Sequence, residues 1–129
     1  MKTTLRDKAM GAIMGAFIGD AIALGPHWYY DLKELHRYYG TWITDYTNPK
    51  KGRYHEHNKA GDLSQSGYIL KLMIHSIIDN SGYKEDDFCK KLDEELFTKI
   101  DGIPTHGPGG YTSQSIREVY RQRVEQGLE

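Results

Sequence analysis

The sequence is poor in the features by which several broad protein classes are recognised. It has a single cysteine, Cys89, which excludes an internal disulfide framework and a cysteine-based zinc site and fits a reducing compartment. Strand-like alternation is almost absent, and valine occurs only twice. No charge sign dominates: 17 Lys and Arg are scattered among 18 Asp and Glu, the net charge is −1 and the pI lies near 6.6. Without a basic stripe to neutralise successive phosphates, a nucleic-acid partner is not expected. The apolar run from Ala9 to Gly19 is far shorter than the ~20 residues a bilayer crossing needs, so no membrane partner is expected either. Leu, Ile, Val and Phe together number 26 of 129 residues, about 20%, which is low for a globular chain. What is present compensates in part. Ten Tyr and two Trp add bulk, and near-neutrality removes the self-repulsion that disorder usually needs. The expectation is one domain with a lean core.

Residues 1–23 carry some marks of a signal peptide: Lys2, Arg6 and Lys8, an apolar stretch from Ala9, and Ala21-Ile22-Ala23 as a cleavage site. Asp7, Asp20 and three glycines within the run argue against it, and the expectation is a cytoplasmic chain.

Periodicity and end signals predict an all-α bundle of about five helices. The first spans about Thr4 to Leu24 and stops at Gly25-Pro26. Gly11, Gly15 and Gly19 fall four apart, on one face, at about 1 kcal/mol each against alanine. Such a stripe makes sense if another backbone passes close by. A short helix covers Asp31 to Tyr39 and ends at Gly40. Residues 40–61 show no period and read as a long ordered loop. The third helix starts near Ser64 and reaches Asn80, with apolar residues around more than half its circumference, which implies burial on more than one side. The fourth opens with Glu85, Asp86 and Asp87 and carries the stripe Phe88, Leu92, Leu96, Ile100, with Cys89 beside it as a small core residue. The last spans about Ser113 to Gln126, with Ser115 and Glu118 at capping-box spacing.

Several constellations invite chemistry. His55-Glu-His57 offers metal ligands, but residues two apart diverge in an extended segment and no third ligand has suitable spacing, so a solvated loop is the better reading. His75, on an apolar helix, reads as a core histidine. The segment ending in Gly107-Pro-Gly-Gly110, followed by Tyr111 and a helix start, permits close backbone approach and offers free N–H groups to an anion. It reads equally as a plain turn between helices. Asp20, His27, Trp28, Tyr29, Tyr30 and Asp31 put carboxylates, an imidazole and aromatic rings near one helix end. The rings could stack on a base or ribose, though core packing is the better expectation.

Taken together, these segments resemble a known family. Gly11-Ala-Ile-Met-Gly-Ala-Phe-Ile-Gly-Asp20 resembles the opening helix of the ADP-ribosylglycohydrolases. Ala21-Ile-Ala-Leu-Gly-Pro-His-Trp-Tyr-Tyr-Asp31 is similar to the branch that includes J1 crystallin. Gly61-Asp62-Leu-Ser-Gln-Ser-Gly67 and Asp101-Gly-Ile-Pro-Thr-His-Gly-Pro-Gly-Gly-Tyr-Thr112 resemble that branch's third motif and glycine-rich loop. Four motifs in order implicate nearly the whole chain. The resemblance implies an all-α bundle in which residues 1–129 form one, partial, domain. It also implies two Mg²⁺ ions and hydrolysis of a glycosidic bond to ADP-ribose, or binding of a related nucleotide. It suggests Asp20, His27 and Asp62 as catalytic candidates, and Trp28, Gly107, Gly109, Gly110 and Tyr111 at the ligand. The family's metal positions fall on Ser64, Gln65 and Ser66.

The sequence departs from active members at these places. Ser64-Gln65-Ser66 stands where they carry Thr-Asp-Asp, and His27 where they carry Glu. Neutral groups hold a hard dication much less well than carboxylates do. The Asp-rich ligands of the family's C-terminal half have no counterpart among these residues. The sequence therefore leaves two functions in view: a magnesium-dependent hydrolase, and a catalytically degenerate nucleotide-binding or crystallin-like structural protein. Apolar surface left uncovered favours a homo-oligomer.

Overall fold

The computed structural model describes residues 3–101, 103, 107, 109–110 and 113–128. Among them every regular element is helical: α1 (Leu5–Leu24), α2 (Leu32–Tyr39), α3 (Gln65–Asn80), α4 (Glu85–Lys91) and α5 (Gln114–Tyr120). None of these helices is long and apolar enough to cross a membrane.

Four helix starts lie where the sequence puts them, because a side chain supplies each cap. The Thr4 hydroxyl accepts from the Asp7 N–H, and the Asp7 carboxylate accepts from the Thr4 N–H at 2.9 Å, a reciprocal capping box. Asp31 accepts from the Lys33 N–H at 2.8 Å, and α2 closes on Gly40 at φ +79°. Ser64 caps α3 by accepting from the Gly67 N–H. For α5 the cap is Ser113, which accepts from the Ile116 N–H; Ser115 instead meets the Ser113 hydroxyl, and Glu118 binds Arg121 and Gln122. The capping box expected at Ser115 and Glu118 is therefore absent. A hydroxyl one position inside the first turn cannot reach back over the free N–H groups as an N-cap does.

The core gathers around α3. Leu72 and Leu96 are fully buried, with Leu92 and Phe97 beside them, and Tyr68, Ile69, Phe88, Ile100, Ile116 and Tyr120 pack around this centre. The fourth helix does not continue as one α-helix. After Lys91 the backbone widens into a π-type turn over Leu92–Leu96 and then tightens into a 3₁₀ turn over Phe97–Lys99. The anticipated stripe still faces the core, and the altered winding lets the adjacent Leu96 and Phe97 both be buried. The Phe97 and Tyr120 rings meet edge-on at 5.7 Å. Arg123 grips Asp93 with two hydrogen bonds of 2.6 and 3.1 Å, which ties the last helix to this unit.

Two burial expectations fail. Gly11, Gly15 and Gly19 have no atom within 4 Å of where a Cβ would stand, so among the described residues no backbone passes along the stripe. His75 is exposed rather than a core histidine, and on the same helix Ile78 is 67% exposed. The buried residues of α1 are Ala21 and Leu24, near its C-terminal end, and Phe17 shares an open depression with Ile74, His75 and Ile78 of α3. The chain exposes 9051 Å² in all. A compact monomer of its mass exposes about 7,000 Å².

Candidate functional site

Asp20 is the pivot of the site. It sits in the last turns of α1, and its carboxylate accepts hydrogen bonds from both the Ser64 N–H, at 2.7 Å, and the Ser64 hydroxyl. It thus caps α3 from outside, against the positive end of the helix dipole. Gly67 packs directly beneath; a Cβ there would collide with the Asp20 carboxylate. Asp20, Ser64 and Gly67 lock the end of α1 to the start of α3.

Beside this lock opens a cavity of about 730 Å³, lined by His27, Trp28, Tyr29 and Tyr30 after α1, by Ser64, Gln65 and Ser66 of α3, by His55 from the long loop, and by Ser113 and Gln114 at the start of α5. Trp28 adopts φ +67°, a left-handed conformation that costs a bulky residue on the order of 1–3 kcal/mol. Its ring is held 4.8 Å from Tyr54 and edge-on to His27 at 5.7 Å. Strain of this kind persists where packing over-determines it, and it clusters at ligand sites.

His55, like Ser113 and Gln114, reaches the cavity without a signal in the sequence. Set down as part of a solvated loop, it meets His27 with Nε2 2.9 Å from His27 Nδ1. Twenty-eight residues separate the two, so no local spacing announces the pair. Burial pushes both imidazoles below their ordinary range, and the neighbouring ring lowers His55 further. Asp20 pulls each of them part of the way back up.

The other sequence candidates distribute differently. Asp62 accepts from the Lys59 N–H at 2.7 Å and lines a separate depression with Tyr68 and Lys99. Gly107 packs against Asn58 and Gly109 against the Lys99 carbonyl, approaches so close that a Cβ at either would collide. Neither these two nor Gly110 lines the cavity with Trp28. Their close approach is to the chain itself. Tyr111 lies outside the described residues.

The donor set can be tested against the dications that the resemblance implies. The one carboxylate at the α1–α3 junction already serves two hydrogen bonds from Ser64, and the three positions that follow offer two hydroxyls and an amide. Among the described residues no three His, Cys, Asp or Glu side chains cluster as a metal would need. These residues do not fit a pair of hard, oxygen-seeking ions.

A family model for the ADP-ribosylglycohydrolases matches residues 1–127. The chain belongs to the ADP-ribosylglycohydrolase family. No curated protein and no solved structure matches it. Within the family frame, the all-helical architecture and the motif order agree. The Gly11–Asp20 segment is a helix whose final turns are locked to α3, and the segment after it forms the aromatic wall of the cavity.

Proposed function

We propose that this ADP-ribosylglycohydrolase-like chain is a nucleotide-binding protein, of the J1-crystallin-like branch, whose cavity takes ADP-ribose or a related nucleotide without paired magnesium ions. The observation that carries the reading is the chemistry of the junction: neutral side chains at Ser64, Gln65 and Ser66, and an Asp20 carboxylate engaged as a helix cap. In active relatives two Mg²⁺ ions orient the ribose hydroxyls and activate water. Here the cavity keeps what binding requires. Its volume lies within the range of small-molecule sites, and the Trp28 and Tyr30 rings that line it suit contact with a base or ribose. Ser64, Gln65, Ser66, Ser113 and Gln114 supply neutral donors and acceptors for hydroxyl groups. Titrating ADP-ribose into chelator-treated protein by calorimetry tests the reading. Saturable binding is expected; no heat, or release of ADP-ribose from a modified acceptor once Mg²⁺ is added, contradicts it.

We also propose that a second copy covers the open face of α1. The exposed area exceeds that of a compact monomer by about 2,000 Å², against about 800 Å² per partner in a stable interface. Met10, Ile13, Met14 and Ile18 are exposed, and from Ala9 to Gly19 no charge interrupts the helix. The open glycine stripe lets two antiparallel copies of α1 approach closely about a two-fold axis.

A further inference from the structure

Among the described residues that line the cavity, His27 and His55 are those able to become cationic near neutral pH; the others are apolar, phenolic, indole, hydroxyl or amide groups. Their rings lie within 10° of parallel with centroids 5.1 Å apart, while Nδ1 of His27 and Nε2 of His55 are 2.9 Å apart. The centroid separation matches that N···N distance extended by one ring radius at each end. The rings therefore meet edge to edge in one plane, and the two nitrogens point at each other. This is an imidazole–imidazole hydrogen bond. A chelate would aim both lone pairs at a third point.

The proton inventory of such a pair is restrictive. When neutral, it shares one N–H between the rings, and its outer nitrogens, Nε2 of His27 and Nδ1 of His55, present one donor and one lone pair. One added proton makes both outer nitrogens donors and strengthens the shared bond by charge. A second would set two N–H groups head-on at 2.9 Å and break the contact.

We propose that this pair is the anion-recognition element of the cavity, and that a phosphate-bearing ligand binds with uptake of one proton by the two imidazoles. The inference rests on the nucleotide-binding reading and specifies how that site meets a phosphate. Partial burial disfavours the protonated form of each ring, while Asp20, from α1, favours it. Of the other charged groups on the His55 turn, Arg53 is held by Glu34, Glu56 accepts from the Gly52 N–H and lies 3.7 Å from His57, and Lys51 is exposed and does not line the cavity. From α3 and α5 the cavity is met by the uncharged Ser64, Gln65, Ser66, Ser113 and Gln114, and the segment after α1 adds the phenols of Tyr29 and Tyr30. With no lysine or arginine among the described lining residues, charge compensation at the cavity rests on the pair.

Calorimetry of ADP-ribose binding in two buffers of different ionisation enthalpy measures the proton count directly. Uptake approaching one proton is expected near pH 7.5, with affinity rising up to tenfold per pH unit as pH falls from 8 towards 6. Adenosine, which has no phosphate, is expected to bind without uptake. His27→Gln and His55→Gln should each flatten the pH dependence, with circular dichroism checking the fold. The wild-type proton count stands even if a variant misfolds. ADP-ribose binding with no proton uptake overturns this inference and leaves the nucleotide-binding reading intact. Failure of both ADP-ribose and adenosine to bind overturns the two together.

Discussion

The two ends of the molecule use similar apolar material to different effect. From Gln65 to Lys99, Leu72, Leu92, Leu96 and Phe97 converge on one another, and the capped start of α3 and the Lys91–Asp79 ion pair at 2.8 Å hold the surrounding elements in place. From Leu5 to Leu24, an equally apolar helix buries only the residues near its end. A helix that is apolar all round needs cover all round, whereas a stripe needs one neighbour. The first region builds the core, though Ile78 on its helix stays exposed; the second leaves most of its apolar length uncovered by the described residues.

The sharpest break between them should come from truncating side chains. Leu96→Ala, at a fully buried site, is expected to destabilise the fold by about 2–5 kcal/mol in chemical denaturation. Met14→Ala, on the open face of α1, should change monomer stability by less than ~0.5 kcal/mol. Equal losses would erase the distinction. At the junction of the two regions, Gly67→Ala forces a methyl group into the Asp20 carboxylate and should cost about 1–3 kcal/mol. It should also weaken ADP-ribose binding, because the Asp20–Ser64 lock shapes the cavity. A neutral effect on both would show that the lock is slack.

The proposed pairing of α1 is read by sedimentation at micromolar concentration. Twice the chain mass is expected, and Met14→Glu should weaken association by about tenfold or more, since it buries an unpaired charge in the interface. A monodisperse wild-type monomer contradicts the pairing. The smallest effect lies on α5. Hydrogen bonds from Arg121 first and Gln122 second hold the Glu118 carboxyl down at about 2, from 4.5. Because the folded value lies below the unfolded one, the contribution is present above pH 4.5 and is lost as pH falls towards 2. The side chain is exposed, so only a slight loss of α5 helicity should follow. A carboxyl midpoint at 4.5 in an NMR titration would show the hydrogen bonds absent.

Much of the fold is legible in the sequence because helix ends are written locally. Thr4, Asp31 and Ser64 each lie at the N-cap of a helix, and Gly40 closes one. The π-type turns after Lys91 and Tyr120 are not legible, since they are winding adjustments imposed by packing rather than by neighbouring residues. Local pattern also fails for the glycine stripe, which predicts a close partner but cannot say whether this chain supplies it. Within the site, Asp20, His27, Trp28 and Ser64 to Ser66 are picked out by motif, while His55, Ser113 and Gln114 reach the cavity by tertiary folding alone.

The account turns on the loss of dication ligands at Ser64, Gln65 and Ser66, and ADP-ribose affinity measured with and without millimolar Mg²⁺ tests this most directly. The same dissociation constant in both, within a factor of about two, is the predicted result. Tightening of tenfold or more, equivalent to about 1.4 kcal/mol, would show that these helices still assemble a magnesium site and would contradict it.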